Sequence, residues 1–183
     1  VISSSSPLKT AEKVVPMPYT PIIGTLGYIL SPDHRQVLMV HRNKRDDDQH
    51  LGKYNGLGGK LEGDEDVVSG LRREIREEAG IEVDHIELRG TISWPGFGKN
   101  GEDWLGFIFR IGSFSGEPHL ENHEGELEWV DVDKILDLPL WEGDKYFLPL
   151  VFNDDPRQFH GIMPYTNGSP DSWNYSLVEV PAL

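Results

Sequence analysis

Apolar and polar positions along the first half of the chain change rhythm twice. Residues 22–30 and 36–42 are apolar-rich runs of strand length, separated by the turn-forming Ser31-Pro32-Asp33-His34-Arg35, and are expected to pair as a β-hairpin. Segment 43–53 is polar and holds Asp46-Asp47-Asp48, which reads as an exposed loop with solvated aspartates. From Val67 to Ala79 the period becomes helical, with Val68, Leu71, Ile75 and Ala79 on one apolar stripe and Gly80 where a left-handed residue would end the helix. Strands are expected at 86–94 and 104–111, flanking loop 95–101, and again at 126–130, with a short helix beginning at 132–136. A helix from about Asp144 to Phe152 and strands near 159–163 and 173–180 close the pattern, and no internal repeat is visible.

Composition narrows the class. A chain of 183 residues with 37% hydrophobic residues can bury one good core, so a single domain over 22–183 is expected. Residues 1–21, rich in Ser and Pro, lack the basic start and apolar centre of a secretion signal and read as a flexible arm. No apolar run reaches membrane-spanning length, and the absence of Cys leaves neither disulfides nor thiolate metal sites, so a cytoplasmic protein without a membrane partner is expected. The formal net charge of -14 opposes nonspecific binding to a nucleic acid duplex. A small anionic ligand remains compatible if metal ions and a few basic residues, with Arg42 and Lys60 the candidates, neutralise its path. A monomer or weak dimer is expected.

The helical stretch carries the chemistry. Glu74, Glu77 and Glu78 stand at i, i+3 and i+4 and are expected to share a face, where like charges cost roughly 0.2–0.5 kcal/mol per pair. A divalent cation would offset that repulsion. Carboxylate donors without clustered Cys or His select a hard ion, Mg2+ or Mn2+, usually completed by water and phosphate oxygens, which points to phosphoryl transfer to water. The preceding loop, Asn55-Gly56-Leu57-Gly58-Gly59-Lys60, offers bare backbone that can approach a ligand or metal, and Arg73 can orient Glu74 or stabilise phosphate charge. A lone Glu-Glu pair would more often be a solvated acidic face; the whole ordered run from Gly59 to Ile81 is harder to explain that way.

That run resembles the Nudix hydrolases. Gly59, Glu65, Arg73, Glu74, Glu77, Glu78 and Gly80 fill the fixed positions of the Nudix box, with Ile75 and Ile81 at its aliphatic positions. The resemblance implies an α/β/α sandwich around a mixed sheet and Mg2+-dependent hydrolysis of a nucleoside diphosphate linked to a further group. It also implies that Glu74, Glu77 and Glu78 bind metal, and that one of them, or a hydroxide on the metal, activates the water.

Outside the box the sequence is similar to the MutT-like branch, which hydrolyses oxidised purine nucleotides such as 8-oxo-dGTP and so averts DNA damage. Tyr54-Asn55-Gly56-Leu57-Gly58-Gly59-Lys60 resembles the branch's segment in which the Asn touches the base and the first paired Gly, here Gly58, offers its carbonyl to metal. By the same likeness Thr25 and Arg42 lie near the nucleotide, and Glu124 joins the metal site from a loop. Trp141 would stack on the base and Asp144 would bond its edge, while Gly143 stands where the mammalian pattern has a further Asp. Trp141 as a core aromatic and Asp144 as a helix N-cap are the bland alternatives. Other Nudix substrates (a dinucleoside polyphosphate, ADP-ribose, an RNA 5′ end) and a non-catalytic nucleotide-binding module remain open. His41, His119, His123 and His160 show no ligand-like spacing.

Overall fold

The structure, a computed structural model, describes residues 18–44 and 51–180. Most of the expected arm and the three consecutive aspartates lie outside the described residues. Strands β1 (Ile22–Leu30) and β2 (Gln36–His41) form the expected hairpin, paired antiparallel around the Ser31–Arg35 turn. The short β3 (Tyr54–Asn55) leads into helix α1 (Val67–Ala79). The long strands β4 (Glu82–Trp94) and β5 (Trp104–Ser115) follow, then β6 (Glu126–Asp131), a 3-10 turn (Val132–Asp137) and helix α2 (Asp144–Phe152). The chain closes with β7 (Gln158–Ile162), the two-residue strands β8 (Tyr165–Thr166) and β9 (Ser169–Pro170), and β10 (Asn174–Val178).

One mixed sheet runs in the order β10-β7-β4-β5-β1-β2-β3, with β6 also on β2. The β1–β5 and β4–β7 pairs are parallel, and the others are antiparallel. Alternation on β2 shows why its centre is continuously apolar. Val37 and Met39 enter a core beneath α2, whereas Leu38 and Val40 enter a second core beneath α1. Phe147, Leu148 and Val151 of α2 fill the first core with Tyr28, Ile92 and Ile108, and Leu71, Ile75 and Ala79 of α1 fill the second with Ile29 and Ile111. A helix on each face makes this an α/β/α sandwich. β4 and β5 run beyond their expected ends because residues 82–84 and 113–115 continue the antiparallel ladder, with Val83 and Phe114 turned to the second core between polar neighbours.

The apolar stripe of α1 differs from its expected phase. Val68 is 39% exposed, and Val67 packs against the core instead, so the buried line runs through residues 67, 71 and 75 to Glu78 and Ala79. That rotation carries Glu78 inward.

Candidate active site

Helix α1 is fixed at both ends. The Asp66 carboxylate accepts from the amides of Val68 at 2.9 Å and Ser69 at 3.0 Å, and Gly80 closes the helix with φ 70°. The three glutamates between, expected to share one face, differ in exposure. Glu78 is 5% exposed, the Glu74 side chain 17% and the Glu77 side chain 61%. Arg73 answers part of the charge, donating to Glu65 at 2.7 and 3.0 Å and to Glu74 at 2.9 Å, and lying 3.5 Å from Glu77. These carboxylates, Glu65 first, hold the Arg73 guanidinium well above its ordinary pKa.

Glu78 is the exception. Burial, the nearby Glu124 and then Glu74 push its carboxyl up to about 8, although Gly58 N–H donates to it at 3.0 Å and Arg42 opposes the rise. A buried carboxyl facing two further acids fits a divalent cation, and an all-oxygen donor set fits a hard one. Glu124 and Glu74 are thus close enough to Glu78 to act on its charge, and the more exposed Glu77 stands toward solvent. Arg42, expected to meet phosphate, ion-pairs Glu124 at 2.5 Å. Gly58 needs its hydrogen side chain: its φ is +145°, and a Cβ would lie 2.2 Å from the Thr25 carbonyl oxygen.

A second grouping arises across β2 and β6, where ligand atoms of His41, Glu126 and Glu128 lie within 4.8 Å of one another. Sequence spacing could not reveal it, because strand register creates it. Each partner is already engaged: Glu128 by His41 at 3.0 Å and by the Tyr54 hydroxyl at 2.9 Å, and Glu126 by Asn43 at 2.9 Å. Glu74 and Glu78 are not part of it.

Beside the acidic spot opens a cavity of about 270 Å³. Thr25, Arg42, Asn55, Gly58, Trp141 and Asp144 all line it, bringing together residues far apart in sequence. Lys60 lies instead in an adjoining groove of about 760 Å³, with Nζ 5.5 Å from the centre of the Trp104 ring. Asp144 is the first residue of α2 rather than its cap, a position held by Gly143. Burial pushes the Asp144 carboxyl up to about 7, against the pull of Lys53. Among the described residues the side chains of Asp144 and Asn55 have no hydrogen-bonding partner, and neither do the buried Thr25 Oγ1 and Trp104 Nε1. Such groups around a cavity are unsatisfied until something polar enters it.

Four aromatic residues of this wall, Trp94, Phe97, Trp104 and Tyr165, escaped the sequence reading. The Phe97 ring makes edge contacts with Trp104, Trp141 and Tyr165 at centroid distances of 6.3, 6.1 and 5.0 Å. The Gly-rich loop 95–101 between aromatic strand ends was the available signal for the first three. Tyr165 gave none.

The NUDIX domain profile matches residues 21–151. A Nudix hydrolase of Bacillus subtilis, YvcI, is 32% identical over 142 residues, spanning 75% of this chain and 84% of the relative. The oxidized purine nucleoside triphosphate hydrolase of Mus musculus is 33% identical over 132 residues, spanning 72% of this chain and 81% of the relative. Among solved structures, a MutT protein from Bacillus halodurans superposes with a TM-score of 0.72 at 30% identity, covering 84% of this chain and 97% of that one. The domain match, these likenesses and the sandwich with its box helix establish that the chain belongs to the Nudix hydrolases, metal-dependent enzymes acting on phosphoric anhydrides.

Proposed function

We propose that this protein is a pyrophosphohydrolase of oxidised purine nucleoside triphosphates, converting a substrate of the 8-oxo-dGTP type to monophosphate and pyrophosphate and so cleansing the nucleotide pool in the cytoplasm. The observation that carries the reading is the aromatic cavity, lined by Asp144, Asn55 and the unbonded Thr25 hydroxyl, beside the acidic end of α1. The likeness to the mouse hydrolase supports it. The rings of Trp141 and Phe97 offer faces and edges to a purine, and Asp144 and Asn55 read its polar edge. Oxidation at C8 gives N7 a hydrogen where guanine has only an acceptor. A neutral hydrogen bond contributes about 0.5–1.5 kcal/mol net, and a buried group left unpaired costs roughly 1–3 kcal/mol, so that exchange can discriminate strongly.

Glu74, Glu78 and Glu124 would hold Mg2+ or Mn2+ with the Gly58 carbonyl, and Glu77 would complete the set. When bound, the ion neutralises phosphate charge and polarises the phosphorus under attack. Arg73 orients Glu74. Arg42 and Lys60 line the phosphate path. Water then attacks the phosphorus next to the one bearing the nucleoside, its oxygen enters pyrophosphate, and the bridging oxygen leaves with the monophosphate.

The test is a panel of nucleotides with product identification in 18O water. The expected result is a higher kcat/KM for 8-oxo-dGTP than for dGTP, with label in pyrophosphate and none in the monophosphate. Asp144→Ala and Asn55→Ala should erode that preference, while Lys145→Ala should not. Equal use of both nucleotides, or preference for an ADP-sugar, would exclude the oxidised-purine reading. A second reading has one observation in its favour. The groove carrying Lys60 and Lys99 shares Phe97, Trp104, Trp141 and Tyr165 with the cavity and has room for a second nucleoside, as in a dinucleoside polyphosphate.

A further inference from the structure

Gly143 precedes α2 with φ -63° and ψ -33°, ordinary right-handed geometry that any residue adopts. The backbone therefore does not require glycine there, but the surroundings do. A Cβ at this position would sit 2.2 Å from the Tyr165 hydroxyl oxygen and 2.7 Å from Met163 Sδ. The phenol thus occupies the space where a side chain at 143 would begin. Nothing about this exchange is visible along the chain, because β8 reaches the cavity from a distant segment.

Tyr165 is held from several directions. Its amide donates to the Pro95 carbonyl at 2.8 Å, its ring meets Phe97 edge-on at 5.0 Å, and the residue is 9% exposed. It lines the same cavity as Trp141 and Asp144. Its hydroxyl has no hydrogen-bonding partner among the described residues. Burial, reinforced by Asp144, raises its pKa above the ordinary tyrosine value, so it remains a neutral donor.

We propose that Tyr165 is a specificity-determining residue, its hydroxyl forming a further polar contact to the edge of the bound purine beside Asp144, with Gly143 leaving the room it needs. The inference rests on the reading of the cavity as a purine site. A carboxylate accepts and a phenol donates. The pair therefore matches a base edge bearing a donor next to an acceptor, as N1–H and O6 of guanine are. A second carboxylate at 143 would supply a different pattern and a second titrating group, and here the phenol takes its place.

The experiment compares wild type, Tyr165→Phe, Gly143→Ala and the double variant. It measures kcat and KM on 8-oxo-dGTP, dGTP and dATP, calorimetric binding of the corresponding monophosphates, and thermal melting. Tyr165→Phe keeps the ring and its contact with Phe97. It is expected to raise KM for the preferred purine by about tenfold, to weaken monophosphate binding equally, and to leave kcat within about twofold and the melting temperature unchanged. Gly143→Ala should mimic that loss by displacing the phenol and add little in the Tyr165→Phe background. Unchanged KM and monophosphate binding in Tyr165→Phe would overturn the proposal, as would a loss confined to kcat. If wild type prefers an unoxidised purine but Tyr165→Phe still weakens it, the oxidised-substrate reading fails and the assignment of Tyr165 stands. Turnover of no purine nucleotide by wild type would overturn both.

Discussion

A carboxyl group walled by aromatic rings is costly to ionise, and Asp144 is kept in that position with Lys53 as its opposing charge. Its pKa near 7 lies well above the roughly 3.9 of an unfolded aspartate. The sign of the linkage follows. A raised folded-state pKa favours the native state fully below about pH 4, and that advantage is lost as pH rises through 7. Metal-free wild type should therefore melt below Asp144→Asn at pH 8, with the gap closing steadily toward pH 4.5. Thermal melts across that range check this, and a pH-independent gap would contradict it. On the proposed role, kcat/KM for 8-oxo-dGTP should rise through the same window in wild type and flatten in Asp144→Asn, since the carboxylate is the accepting form. Sequence alone marked Asp144 by likeness and left a helix cap as the alternative; Gly143 holds the cap position, and Asp144 stands in the first turn of α2 against the cavity.

Helix α1 was the most legible part of the chain, and its limits are instructive. Its bounds, its Gly80 terminus and the Arg73–Glu74 contact follow from local pattern, because period and capping act within a few residues. The phase did not: Val67 and Val68 are equally apolar, and only packing against the second core selects the first. That choice separates a buried Glu78 from an exposed Glu77. Glu77→Gln and Glu78→Gln are each expected to lower turnover by at least about a hundredfold with the fold retained. Full activity of both single variants in metal-depleted buffer would sink the assignment. The cap offers a test of the frame beneath. Asp66→Ala removes the acceptor for two helix amides and should cost about 0.5–2 kcal/mol in denaturant unfolding. A stability equal to wild type would show that those bonds are replaced by water at no loss.

The two cores of the sandwich stand on opposite faces of a sheet that the alternation of β2 and the apolar runs of β1 and β5 already announced. What the chain could not disclose was how its ends meet. β7 joins β4 in parallel, from Gly90 opposite Phe159 to Ser93 opposite Ile162, and this pairing delivers Tyr165 to the Pro95 loop. Pairings between such remote segments close slowly, since loop entropy is lost before contacts reward it. The wall of the cavity is therefore expected to be the last part completed. In refolding followed by far-ultraviolet dichroism and by tryptophan quenching with a bound nucleotide, the second signal should lag the first, and coincident signals would refute the order. During synthesis the consequence is one of timing. A nascent chain already possesses Asn55 and its box helix while Glu124, Trp141, Asp144 and Tyr165 are still unmade, so the candidate site is completed only once β8 has emerged.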